Sequence, residues 1–283
     1  MIVDIHTHVF DSAAHFGPEL NADLARCGVD PGIWGNVEER HLETTAAADV
    51  AVVFGLQASA TGWNIPNDRV AAHVARAPHR LLFFVSVDPL QPGYMEELEK
   101  YHRDYGAAGV KLAPLYQNVH PQDKRYYALY QYCQKHGLPI LFHTGTSFVG
   151  GTPLDYSRPV HFDAVAVDFP DLHMVLAHLG HPWEGETIAV IRRHENVYAD
   201  ISALYYRPWQ FYNAMQLLVE YKAQHKALFG SDFPFTTTED SLRNIRALNA
   251  VAPGLPGVPA EVIEEIIHRD TLRLLNLPNP LKK

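Results

Sequence analysis

Two histidines stand one residue apart near the start of the chain, in Ile2-Val3-Asp4-Ile5-His6-Thr7-His8. The branched apolar residues around them mark a buried strand. Side chains alternate faces along a strand with period 2, so His6 and His8 point the same way at its C-terminal end. Two adjacent imidazoles make half of a tetrahedral metal shell. The same kind of residue recurs at the ends of other short apolar runs: His143 closes PILFH, His178 closes LHMVLAH and Asp232 closes ALFGSD. A single histidine at a strand end is ordinarily a satisfied polar residue. Five ligand-type residues at four strand ends point instead to one shared centre, and imidazoles with a carboxylate suit zinc or a similar divalent ion.

The elements that must bring these residues together are read from the apolar runs. Strands are predicted at the N-terminus and over residues 49–57, 81–87, 109–113, 139–143, 172–178, 196–202 and 227–232. Helices are predicted over 37–48, 67–77, 94–105, 123–136, 159–167, 184–194, 209–224 and 238–251, with an extra one over 260–276. Mostly continuous apolar runs are what parallel strands buried on both faces look like. Eight strand–helix units in alternation imply a (β/α)8 TIM barrel, in which all strand C-termini meet at one face. A doubly wound open sheet is the alternative, but it does not by itself gather the histidines. No internal repeat or linker divides residues 1–283, so one domain is expected. Residues 9–36, rich in glycine and proline, read as one long loop after the first strand, placed to cover a pocket.

Composition bounds the function. The chain has 283 residues, 47% of them hydrophobic, and a formal net charge of −9. That charge argues against nucleic acid or an anionic membrane surface as partner. Two cysteines, Cys27 and Cys133, make no disulfide framework. No apolar run reaches the ~18 residues of a membrane span. A basic segment followed by an apolar stretch is missing from the N-terminus, so the expected location is the cytoplasm.

With these residues in place, the pattern resembles the amidohydrolase superfamily: His-x-His on the first strand, His143 on the fifth, His178 on the sixth and Asp232 on the eighth. The stretches AHLGHPW (177–183) and GSDFP (230–234) resemble its amidohydrolase-2 branch, the aminocarboxymuconate-semialdehyde decarboxylase-like metal-dependent hydrolases. The resemblance covers nearly the whole chain. It implies one divalent ion per chain, zinc by expectation, on His6, His8, His143 and Asp232, with His178 beside the metal-bound water. Its two-metal variant implies that His143 and His178 serve a second ion bridged by a carbamylated Lys111. It also implies a small-molecule substrate. A metal-dependent hydrolase of a carboxylated, lactone or ester substrate is expected, with a non-oxidative decarboxylase (a lyase) as the alternative.

The chemistry follows from such a site. A divalent ion lowers the pKa of bound water to about 7. Asp232 is placed to take its proton as general base, and His178 to orient the water or protonate a leaving group. Lys111, Arg158 and Arg207 are candidates for gripping a substrate anion. Asp4 shares the His6 face by simple alternation and is expected to be structural. His181 is expected to hold the loop after the sixth strand. Trp63, Trp183, Tyr205 and Tyr206 are candidates for an aromatic wall. His15, His41, His73, His79, His102, His161, His173, His194, His225 and His268 show no ligand-like placement. A homodimer is the expected assembly.

Overall fold

The structure is a computed structural model that describes residues 1–34 and 37–282. Eight parallel strands form one sheet in chain order: β1 (Val3–His8), β2 (Val50–Phe54), β3 (Leu81–Ser86), β4 (Gly109–Leu112), β5 (Ile140–Phe142), β6 (Met174–Leu176), β7 (Val197–Asp200) and β8 (Ala227–Leu228). The sheet curls until its last segment meets its first. Ile5 N–H donates to Phe229 O at 3.1 Å, Asp232 N–H to His6 O at 2.8 Å and His8 N–H to Phe233 O at 2.8 Å. The barrel expected from the alternation is therefore present.

Helices surround it: α1 (Ser12–His15), α2 (Pro18–Arg26), α3 (Val37–Thr44), α4 (Asn67–Val74), α5 (Tyr94–Tyr105), α6 (Pro114–Gln117), α7 (Lys124–His136), α8 (His161–Asp168), α9 (Glu184–Arg193), α10 (Pro208–Glu220), α11 (Thr238–Arg246), α12 (Ala260–Ile267) and α13 (Thr271–Leu274). One apolar cluster lies between strands and helices, and a second fills the barrel. The inner cluster contains Val3, Ile5, Phe54, Phe84, Leu141, Val175 and Leu228, and is joined from below by Leu272, Leu275 and Leu277. These C-terminal leucines plug the end of the barrel opposite the strand C-termini.

β1 departs from simple alternation. Its pairing with β2 shifts between Asp4 and Thr7, where two residues on β1, Ile5 and His6, face one on β2, Val52. Val3 and Ile5 belong to the inner cluster, and beyond the shift His6 faces inward as well. Bulges of this kind re-aim side chains beside active sites. Asp4 is consequently not on the His6 face. It accepts from Ser231 N–H at 2.9 Å and from the Thr238 hydroxyl at 2.7 Å, tying β1 to the start of α11. Burial outweighs these donors and raises its carboxyl to about 6.

Five expected elements are corrected. Residues 9–36 are not an irregular loop, because α1, α2 and a 3-10 turn over Pro31–Trp34 lie within them; Gly35 and Asn36 fall outside the described residues. Pro18 occupies the first position of α2, where its missing N–H costs nothing and its fixed φ favours a helix. The helix expected over 260–276 is two helices, because Asp270 caps a new start by accepting from Arg273 N–H. The fifth, sixth and eighth strands end earlier than predicted, so His143, His178 and Asp232 lie just beyond the last residue of each strand. His178 and Asp232 have φ of 60° and 65°, a left-handed backbone that interrupts the extended strand conformation.

Candidate metal centre and substrate pocket

The barrel mouth holds a cleft of about 610 Å³, lined among others by His6, His8, Lys111, His143, His178, Arg207 and Asp232. His6 Nε2 lies 3.2 Å from His8 Nε2 and 3.2 Å from Asp232 Oδ1, and His8 Nε2 lies 3.3 Å from the same oxygen. Donors bound at about 2.0–2.1 Å to one ion stand about 3.3 Å apart along a tetrahedral edge. Without a cation, lone pairs and a carboxylate would converge on an empty point. His6, His178 and Asp232 likewise place ligand atoms within 4.8 Å of one another. His143 Nε2 is buried with no hydrogen-bond partner among the described residues. A buried orphan nitrogen is costly, and a cation removes that cost. The residues present therefore fit a divalent ion.

The outer partners fix the tautomers. His6 Nδ1 lies 2.9 Å from Asp200 Oδ2, so its N–H points there and Nε2 keeps a lone pair toward the gap. The Ser202 hydroxyl donates to Asp200 Oδ1, which leaves its oxygen to accept from His178 Nδ1 at 2.8 Å. His178 Nε2 is thereby left as an acceptor. Burial, with help from neighbouring cations, holds His6, His8 and His178 well below the usual imidazole value and His143 down to about 3. Neutral imidazoles are the form that binds metal. Burial likewise pushes the Asp232 carboxyl well above its ordinary value. Asp200 was missed by the sequence reading. The structure ends β7 at Asp200, two residues before the predicted end, which places it with the other strand-end residues.

Lys111 is 2% exposed on β4, with Nζ 3.4 Å from His6 Nε2 and 4.6 Å from the centre of the Phe54 ring. Desolvation draws its ammonium down to about 8. Among the described residues no carboxylate lies within ion-pair reach of it. Arg207 lines the cleft, braced by Ala203 O at 2.8 Å and by the Tyr206 ring 4.5 Å from its guanidinium carbon. The structure does not bring Arg158 to the cleft. It pairs with Glu186, approaches Asp155 at 3.9 Å and packs over Trp183. Trp63 and Tyr206 line the wall, whereas Tyr205 is buried behind it and donates to Gly230 O at 2.9 Å. His181 reaches the cleft and pairs with Glu184 at 2.6 Å. Tyr116, unforeseen, also lines it; burial raises its phenol far above the ordinary value and keeps it a hydrogen donor.

α2 closes one side of the mouth. Arg26 donates to Phe148 O at 2.5 Å, and Gly150 N–H to Asp23 Oδ2 at 3.0 Å, which fastens α2 to the loop after β5. Arg26, Cys27, Phe148, Val149 and Gly150 all line the cleft.

A barrel with ligand-type residues at the ends of β1, β5, β6 and β8 defines a class of metal-dependent enzymes. The amidohydrolase family model matches residues 3–277, and the chain belongs to that family. Its members are metal-dependent hydrolases and decarboxylases. Among solved structures, an uncharacterised TIM-barrel protein from Bordetella bronchiseptica is 25% identical, covers 100% of this chain and 99% of its own, and has a TM-score of 0.74. A dihydroxybenzoic acid decarboxylase from Polaromonas, with bound manganese and the inhibitor 2-nitroresorcinol, is 15% identical over 100% and 99% of the two chains, at a TM-score of 0.67. A probable 2-pyrone-4,6-dicarboxylic acid hydrolase from Acinetobacter baumannii, with bound citric acid, is 15% identical over 98% and 99%, at a TM-score of 0.65. No curated protein matches the sequence. Among the described residues no helix is long and apolar enough to cross a membrane.

Proposed function

We propose that this protein hydrolyses a small carboxylated lactone or ester, with one zinc ion held by His6, His8, His143 and Asp232. The observation that carries the reading is the donor triplet His6, His8 and Asp232 at 3.2–3.3 Å spacing, open to the cleft. When bound, a divalent ion supplies Lewis-acid polarisation and acidifies a water. The protein's own residues supply the rest. Asp232, whose burial favours the protonated form, accepts the proton of the attacking water. His178, with Nδ1 fixed on Ser202 and Nε2 free as an acceptor, orients that water, and the proton taken up by Asp232 is the one returned to the leaving oxygen. Lys111 and Arg207 hold the substrate carboxylate, and Tyr116 donates a neutral hydrogen bond. α2 and the loop after β5 keep bulk water out.

Non-oxidative decarboxylation is the second reading, favoured by Lys111, a buried cation that makes no ion pair with a carboxylate among the described residues. The relatives suggest the paired assay: 2-pyrone-4,6-dicarboxylate opening followed by absorbance, and carbon dioxide release from dihydroxybenzoates. Asp232→Asn is the informative variant for either reading. Asparagine tolerates the left-handed backbone at this position and still offers an oxygen. Metal content should be largely retained while kcat falls ~10²–10⁴-fold. Full activity in Asp232→Asn removes its role as base, and loss of the fold in that variant assigns it to structure instead.

A further inference from the structure

His120, Asp155 and His161 lie outside the cleft, and nothing in the proposed reaction uses them. They come from three separate segments: the turn before α7, the 3-10 turn Leu154–Ser157, and the first position of α8. Their ligand atoms nevertheless all fall within 4.8 Å of one another. His161 Nε2 is 3.0 Å from Asp155 Oδ2, and the rings of His120 and His161 are 4.5 Å apart at 63°. His161 and Asp155 are 22% and 55% exposed at the side chain, so a hydrated ion can reach them.

We propose that these three residues form a second site, on the surface, for a borderline divalent cation such as Zn²⁺, Ni²⁺ or Cu²⁺. Two imidazoles and a carboxylate are a donor set that such ions prefer over Mg²⁺ or Ca²⁺. Three protein donors leave a fourth position for water. The backbone is prepared for the role. Asp123 N–H donates to His120 O at 2.8 Å and the Tyr130 hydroxyl to Pro121 O at 2.9 Å, so the turn carrying His120 is fixed. The Ser157 hydroxyl bonds Gly145 O at 2.6 Å and fixes the turn carrying Asp155. Burial first, and the neighbouring His161 second, hold the His120 imidazole below its ordinary value, which keeps a lone pair available. The bond a cation would replace is the 3.0 Å one between His161 Nε2 and Asp155 Oδ2. Arg158 Nη1 at 3.9 Å from Asp155 is too distant to compete strongly, since Arg158 is engaged by Glu186. A bound ion ties the loop after β4 to the segment after β5, the same segment that α2 fastens.

The test is a Zn²⁺ titration of the metal-loaded enzyme against a chromophoric zinc indicator. Wild type should take up one equivalent beyond the pocket ion. His120→Gln, Asp155→Asn and His161→Asn should each weaken that equivalent by more than about tenfold, the least that even an outer metal partner costs. His268→Gln, at an exposed histidine elsewhere, should leave it unchanged. Pocket metal, measured by mass spectrometry after dialysis, should be the same in all four variants. If wild type takes up no further Zn²⁺, or if the His120→Gln/His161→Asn double variant takes it up with wild-type affinity, these residues are an ordinary hydrogen-bonded cluster and the site is refuted. Asp155→Asn, at the most exposed of the three, decides the matter should either histidine variant misfold.

Discussion

Acidification should destabilise this protein through a residue that never meets substrate. His73 is buried on α4 with Nε2 3.1 Å from His41 Nδ1, and His41 Nε2 is 2.9 Å from Thr7 Oγ1, whose hydroxyl donates to Val52 O at 2.5 Å. Burial, and then the Arg76 guanidinium, push the His73 imidazole down to about 4. In the unfolded chain it takes up its proton near 6.5. Between those values the unfolded chain binds a proton that the folded chain refuses, so stability falls as pH falls through that window. The gap between 6.5 and about 4 corresponds to about 3 kcal/mol in full. About 2 kcal/mol of it is lost between about pH 7.5 and about pH 5. His73→Gln keeps a donor for His41 and removes the titrating group. Urea unfolding of both proteins at the two pH values separates the effect from the titrations of residues away from the His73–His41 pair. Wild type should lose about 2 kcal/mol more than the variant on acidification. Equal losses would refute the reasoning. The consequence reaches the site, since Thr7 lies between His6 and His8 and its hydroxyl is the last link of this chain.

Other outcomes are expected around the pocket. Asp200→Asn should lower metal affinity about 10–100-fold, measured by competition with a chelator, because Asp200 fixes His6 and, through Ser202, His178. With an anionic substrate, KM should rise above about pH 8 as the Lys111 ammonium deprotonates, and Lys111→Met should raise KM at neutral pH and flatten that rise. Arg26→Ala combined with Asp23→Ala should free α2 from the loop after β5, and lower kcat/KM with metal content and circular dichroism unchanged. A double variant with normal kcat/KM would show that the fastening plays no part in turnover.

The barrel was legible because eight apolar runs alternate with eight helical ones, and the centre because its residues close four of those runs. What escaped the sequence has definite physical causes. The bulge in β1 reverses the facing expected for Asp4 and is set by pairing with β2, which no local pattern encodes. Asp200 is the last residue of β7, but the predicted strand runs on to residue 202, and an isolated aspartate carries no pattern comparable to His-x-His. α2 was hidden because proline and glycine were read as breakers, although Pro18 opens the helix. Arg158 was a candidate by its place in a loop, yet the partner that engages it, Glu186, lies on α9 and is distant in sequence. His161 looked unremarkable alone, because the residues that give it company arrive from two other segments.

His178, Leu179 and Asp232 all hold φ between 48° and 65°, a region that side chains with a Cβ enter at a cost of about 1–2 kcal/mol each. Glycine at any of the three would relieve that cost. A library of this gene selected only for heat resistance should therefore drift toward glycine there, and at positions 178 and 232 each gain in robustness would delete a working part. Leu179 is the informative exception. Its side chain is fully buried, so glycine there would exchange backbone relief for a cavity, and the balance between the two would be read directly from melting temperature with the chemistry left in place. The protein thus carries its functional demand in its backbone as well as its side chains, and optimisation for endurance alone would work against it.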